Sequence, residues 1–210
     1  MSSAEFESWP KIPRQGKDNL VITEKLDGTN AQINIVPADA LDGYTTAMQD
    51  TLRSYILHTF YEDGIDYHMF AGSRKRYITP EEDNYGFAEW VKFYAKELES
   101  LGHGRHFGEW YGNGIQRGYG LEEKRLALFN TQRWGNHNPN TPKCCEVVPV
   151  IYNGELLADT IDNTMYELDM YGSYQVKGYD NPEGIIIFSR ALKQYTKLTF
   201  EHVNGKWKGE

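Results

Sequence analysis

The chain has 210 residues, of which 40% are hydrophobic and 14% aromatic, enough to bury a sizeable core. Its net charge of -8 excludes a protein that coats nucleic acid by bulk electrostatics, while leaving room for a grip through a local basic patch. No apolar run approaches the roughly 20 residues of a membrane span, and Met1–Phe6 lacks a basic-then-apolar leader pattern, so the expectation is a soluble cytoplasmic protein. Cys144 and Cys145 are adjacent; they read as reduced thiols, neither paired with each other nor numerous enough for a zinc site.

In chain order, residues 20–36 predict two strands around a tight turn, with Leu20, Ile22, Ile33 and Ile35 alternating with polar residues about Asp27-Gly28. Residues 44–61 carry Leu52, Tyr55, Ile56 and Phe60 at helix-like spacing. Phe87, Trp90, Val91, Tyr94 and Leu98 predict a surface helix over 85–101, with Gly102 as its stop. Strands are expected at 105–111 and 125–130, separated by the glycine-rich run 112–120, which lacks the Lys-Ser/Thr of a phosphate-binding P-loop. A polar loop at 131–143 leads to a strand at 147–151 interrupted by Pro149, then a helix at 159–171. Gly184–Phe188 is a short apolar run typical of a central strand, and 193–200 alternates as the next one. The mix predicts one α+β domain over residues 1–210, built on mostly antiparallel sheets with flanking helices.

Lys25-Leu26-Asp27-Gly28 is only four positions, and a lysine beside an Asp-Gly turn is usually a solvated hairpin residue. Further motifs in a fixed order give it weight. It resembles motif I of the covalent nucleotidyltransferases: DNA ligases, RNA ligases and mRNA capping enzymes. Glu24-Lys25-x-x-Gly28-Thr29-Asn30 looks closest to the nick-sealing RNA ligases. Those often carry His at the position of Asp27, whereas Asp is the choice of DNA ligases and capping enzymes, so the motif mixes two patterns. Ser73-Arg74 resembles motif Ia, His106–Gly112 motif III, Leu126–Asn130 motif IIIa, Glu183–Ile186 motif IV, and Tyr195-Thr196-Lys197 motif V. All occur in the family order between residues 25 and 197.

The resemblance implies a ligase-type adenylyltransferase fold and an ATP-dependent RNA ligase. Lys25 would attack the α-phosphate of ATP and carry AMP covalently, a step that needs its amine uncharged although a free lysine ionises near pH 10.4. Lys197 would stabilise the charge developing on that phosphate. Glu183 would help bind Mg2+ or Mn2+ through oxygen ligands. Glu109 would accept hydrogen bonds from the ribose, and Phe129 would stack on adenine. Arg74, in the basic cluster Ser73-Arg74-Lys75-Arg76, is expected near the ribose and the RNA end. Glu24 is expected to bind the nucleotide, and Thr29 and Asn30 to lie along the nucleotide or the acceptor strand. AMP would pass to a 5′-phosphate end, and a 3′-hydroxyl would displace it, as in RNA repair.

The sequence departs from the family in two places. Motif V usually has two lysines; here Lys197 stands without its companion, leaving Lys193, Lys206 and Lys208 as candidates for the second charge. Thirteen residues follow Lys197, too few for the OB-fold or helical domain that usually comes next, so the expectation is either a minimal nucleotidyltransferase core or one that borrows substrate grip from a protein partner. A small DNA ligase, a capping-type enzyme using GTP and a non-catalytic nucleotide- or nucleic-acid-binding module of the same fold stay open. The six histidines show no metal-ligand spacing.

Overall fold

The computed structural model describes residues 18–201. Strand β1 (Asn19–Lys25) is followed by β2 (Thr29–Pro37), helix α1 (Thr46–Arg53), the hairpin β3 (His58–Glu62) and β4 (Ile65–Gly72), and short β5 (Tyr77–Ile78). Helices α2 (Phe87–Phe93) and α3 (Ala95–Leu98) lead into β6 (Gly104–Gly112), β7 (Lys124–Leu128) and β8 (Cys145–Val147). The chain continues through β9 (Val150–Glu155), α4 (Thr160–Tyr171), β10 (Gly184–Ser189) and β11 (Gln194–Thr199). A first sheet has the order β11-β10-β1-β9; a second has β3-β4-β2-β6-β7-β8, with β5 added on β4. Pairing is antiparallel except between β7 and β8. The mixed α+β architecture with antiparallel sheets agrees with the expectation from sequence.

Each sheet buries one face under helices, because its strands alternate apolar and polar side chains. Ile33, Ile35, Met69, Trp110 and Leu128 of the second sheet pack with Phe87, Val91 and Leu98 of α2 and α3. Asp83 accepts from the backbone N–H groups of Ala88 and Glu89 at 2.8 and 3.0 Å and so caps the first turn of α2. Leu20, Ile22, Ile185 and Ile187 of the first sheet pack with Met165 and Leu168 of α4. Burying each such side chain contributes roughly 1.5–3 kcal/mol. A third cluster, Leu26, Tyr111, Tyr119, Ala127 and Val148, ties the two sheets together.

Four elements differ from the sequence reading. Asp27-Gly28 does not close a hairpin: β1 and β2 belong to different sheets, and the turn carries the chain from one to the other. Gly28 is required there by close approach, since a Cβ would stand 2.5 Å from the Trp110 carbonyl oxygen. The strand expected at 147–151 is two strands, β8 in the second sheet and β9 in the first, and Pro149 stands at the switch, where the missing N–H costs no ladder bond. The helix-like spacing of 44–61 breaks after Arg53, and Phe60 lies on β3, whose hairpin turns at Asp63-Gly64 with φ of 50° and 86°. The helix expected at 85–101 divides at Tyr94 into α2, α3 and a closing 3-10 turn. Among the described residues, no helix is long and apolar enough to cross a membrane.

Candidate active site

Strand register decides which side chains meet. On β1, Leu20, Ile22 and Glu24 are buried on the α4 side, so Lys25 projects from the opposite face with Val21 and Thr23. Lys25 pairs with Gly184, and Thr23 with Ile186, which pairs in turn with Lys197. Lys197 therefore shares the face of Lys25, and is exposed there on the edge strand. On the second sheet, the face turned away from α2 carries Asn30 opposite Glu109, and Glu109 opposite Ala127. Phe129 continues this face just past β7, where its N–H donates to the Phe107 carbonyl at 2.9 Å. The Lys25 face and the Glu109 face converge on the Leu26–Gly28 turn in a cleft where the charges of Lys25, Asp27 and Glu183 reach Glu109.

Lys25 Nζ donates to Glu183 Oε2 at 2.5 Å, with both side chains about one-fifth exposed. Glu109 Oε1 accepts from the Gly28 N–H at 3.1 Å. Burial raises Glu109 to about 7; Lys25 and the Gly28 N–H oppose the rise, and the carboxylates of Glu183 and Asp27 add to it. The site thus gathers one lysine and three carboxylates from three distant parts of the chain. Among the described residues no cluster of three or more His, Cys, Asp or Glu forms a ready-made metal cage. Hard oxygen donors in small number suit a cation of the magnesium or manganese type, which keeps water and phosphate oxygens as further ligands.

Glu24 is not brought to the Lys25 face. Its buried carboxylate accepts from Ser173 Oγ at 2.7 Å and from the backbone N–H groups of Tyr174 and Gln175 at 2.8 and 2.9 Å. Desolvation raises its pKa, and these three donors work against the rise. Thr29 also faces away, its hydroxyl accepting from Asn84 Nδ2 at 3.2 Å. Asn30 is exposed on the site face. Arg74 is exposed in the tight turn after β4, where Ser73 N–H donates to the Arg76 carbonyl at 2.9 Å. Lys193 sits in the β10–β11 turn, at the end of those strands opposite Gly184, which removes it from the Lys25 end of the sheet. Lys206 and Lys208 lie outside the described residues.

A family model of RNA ligases matches residues 18–200. The chain belongs to the RNA ligase family. Among curated protein sequences none matches it significantly. A Naegleria gruberi RNA ligase variant with AMP and Mn is similar in structure, with a TM-score of 0.50 and 16% identity over 92% of this chain and 53% of that one. Another variant of that ligase, with ATP and Mn, gives a TM-score of 0.52 and 15% identity over 90% and 51% of the two chains. At such identity the likeness shows the shared fold, and this family member spans about half the length of those structures.

Around the lysine, the family motif omits several groups that hold it. Asp27 Oδ2 accepts from Arg117 Nε at 2.9 Å, and the Asp27 N–H donates to the buried Tyr119 hydroxyl at 2.8 Å. Tyr111 donates to Glu146, which also accepts from Arg125 at 3.1 Å and Gln175 at 2.6 Å, so the segment after α4 is fastened to the second sheet. The glycine-rich run was visible in sequence; its partners were not.

Proposed function

We propose that this chain is the nucleotidyltransferase core of an ATP-dependent RNA ligase, in which Lys25 becomes covalently attached to AMP. The observation that supports it most is the Lys25–Glu183 contact at 2.5 Å in a cleft whose other wall presents Glu109. Lys25 Nζ attacks the α-phosphorus, an N–P bond forms, and the P–O bond to the β-phosphate breaks, releasing pyrophosphate. Glu183 accepts a hydrogen bond from the Lys25 ammonium, and the proton that Lys25 loses so that its amine can attack passes to solvent. Lys197, on the same sheet face, contributes a fixed positive charge toward the α-phosphate. Glu109 accepts from the ribose and Phe129 offers its exposed ring to adenine. Asn30 lines the cleft, and Arg74 meets the ribose or the RNA end.

A divalent cation held by Glu183 would neutralise phosphate charge and weaken the hold of Glu183 on the Lys25 ammonium. In the later steps AMP passes to a 5′-phosphate end, and an RNA 3′-hydroxyl displaces it to close the backbone. Protein or nucleic-acid surfaces beyond this chain would supply additional grip on the substrate.

Intact-mass measurement after incubation with ATP or GTP, and magnesium or manganese, tests the reading. The expected result is a gain of one AMP with ATP, lost in Lys25→Ala. Full labelling of that variant, or no labelling of the parent chain, would overturn it. Nicked duplexes with RNA or DNA at the junction then separate an RNA ligase from a small DNA ligase.

A further inference from the structure

The run Gly112–Gly120 contains one charged side chain, Arg117, and the reaction above does not use it. Arg117 is only 16% exposed. Its Nε donates to Asp27 Oδ2 at 2.9 Å, its Nη1 to Asn181 Oδ1 at 2.9 Å, and its Nη2 to Glu201 Oε1 at 3.1 Å. Asp27 comes two residues after Lys25, and Asn181 two residues before Glu183. One guanidinium therefore grips both turns that carry the Lys25–Glu183 pair. Tyr119 secures the first of them again by accepting the Asp27 N–H.

The backbone of the loop is shaped for this. Gln116, Gly118 and Tyr119 have φ of 45°, 65° and 54°, so the chain curls back and points Arg117 and Tyr119 at the same residue. Fully buried Ile115 anchors the loop, and its carbonyl accepts the Gly118 N–H at 2.8 Å. The three acceptors spread around a planar fork, a geometry that a guanidinium satisfies and an ammonium on a flexible stem does not.

We infer that Arg117 is a positioning residue for nucleotidyl transfer: it fixes Asp27 and Asn181 so that Lys25 is aimed at the α-phosphate and Glu183 at Lys25. The inference rests on the lysyl-AMP reading. A reacting atom misplaced by about 1 Å loses about 100-fold in rate, while nucleotide affinity, set by contacts to base, ribose and phosphates, is largely kept.

The test is single-turnover lysyl-AMP formation at varied ATP, for the parent chain, Arg117→Gln, Arg117→Lys, Asp27→Asn and the Asp27→Asn/Arg117→Gln double variant. Arg117→Gln is expected to lower the saturated rate by about 10- to 100-fold, with less than about a threefold change in the ATP concentration for half-maximal rate. Arg117→Lys should recover only part of that loss. The double variant should be no slower than the slower single variant, because both remove one interaction. A saturated rate for Arg117→Gln within about twofold of the parent, a loss confined to ATP affinity, or losses that multiply in the double variant would overturn the inference. If Arg117→Gln does not fold, Asn181→Ala on the exposed turn serves: a saturated rate lowered by about threefold or more supports the inference, and an unchanged rate overturns it. If the parent forms no lysyl-AMP, the proposed function falls and this inference with it.

Discussion

Glu109→Gln isolates the electrostatics of the cleft, because glutamine keeps an oxygen for the Gly28 N–H and loses only the ionisation. Burial holds the Glu109 carboxyl at about 7, against an ordinary 4.5. A carboxyl raised in the folded state contributes stability that is fully present below its unfolded value and is lost as pH rises through its folded value. The window therefore runs from about 4.5 to about 7. A difference of about 2.5 pH units corresponds to about 3 kcal/mol, the excess cost of a charged, desolvated carboxylate in the folded protein. Urea unfolding of the parent and of Glu109→Gln at about pH 4.5, 6 and 8 reads this directly. The stability of the variant relative to the parent should rise by about 2–3 kcal/mol across that range and level off above it. Parallel pH profiles for the two proteins would refute the reasoning, as would a relative gain that shrinks with rising pH.

Other perturbations probe the supports of the site. Glu24→Ala leaves the Ser173 hydroxyl and the N–H groups of Tyr174 and Gln175 without their buried acceptor, and should cost about 3 kcal/mol, read as a fall in melting temperature. An unchanged melting temperature would mean that water takes over those donors. His106 is pushed down to about 4 by burial, while its bond to the Gly102 carbonyl resists the fall. A base depressed in this way gives stability that is present above its unfolded value and lost as pH drops through the folded one. His106→Gln should therefore remove about 3 kcal/mol of acid sensitivity between about pH 6.5 and about pH 4, seen as a flatter stability profile.

The sequence displays the strands of the first sheet openly, because β1 and β10 combine alternation or continuous apolar runs with clear ends. The β3–β4 hairpin was legible in principle: Asp63-Gly64 is a strong turn signal, but the helix-like spacing of Leu52, Tyr55, Ile56 and Phe60 competed with it. Alternation also predicts that Glu24 and Lys25 face opposite ways, and the motif reading grouped them all the same. The order of motifs brought Lys25, Glu109 and Glu183 to one cleft because each sits in a strand or at its end, where register fixes its direction. Arg117 carried no such signal. Its partners Asp27 and Asn181 are 90 and 64 residues away in sequence, and only the folded loop brings them within reach.

The chain crosses between the two sheets at Leu26–Gly28 and again at Val148-Pro149, and these crossings are neighbours: the Glu24 N–H donates to the Pro149 carbonyl at 3.1 Å. Everything from β2 to β8 is thus joined to the first sheet through two adjacent crossings, and the Gln175–Glu146 and Arg117–Asn181 contacts add side-chain ties beside them. Lys25 stands at the first of these crossings, the last residue of β1. The proposed nucleophile is thereby tied through the backbone to both sheets at once.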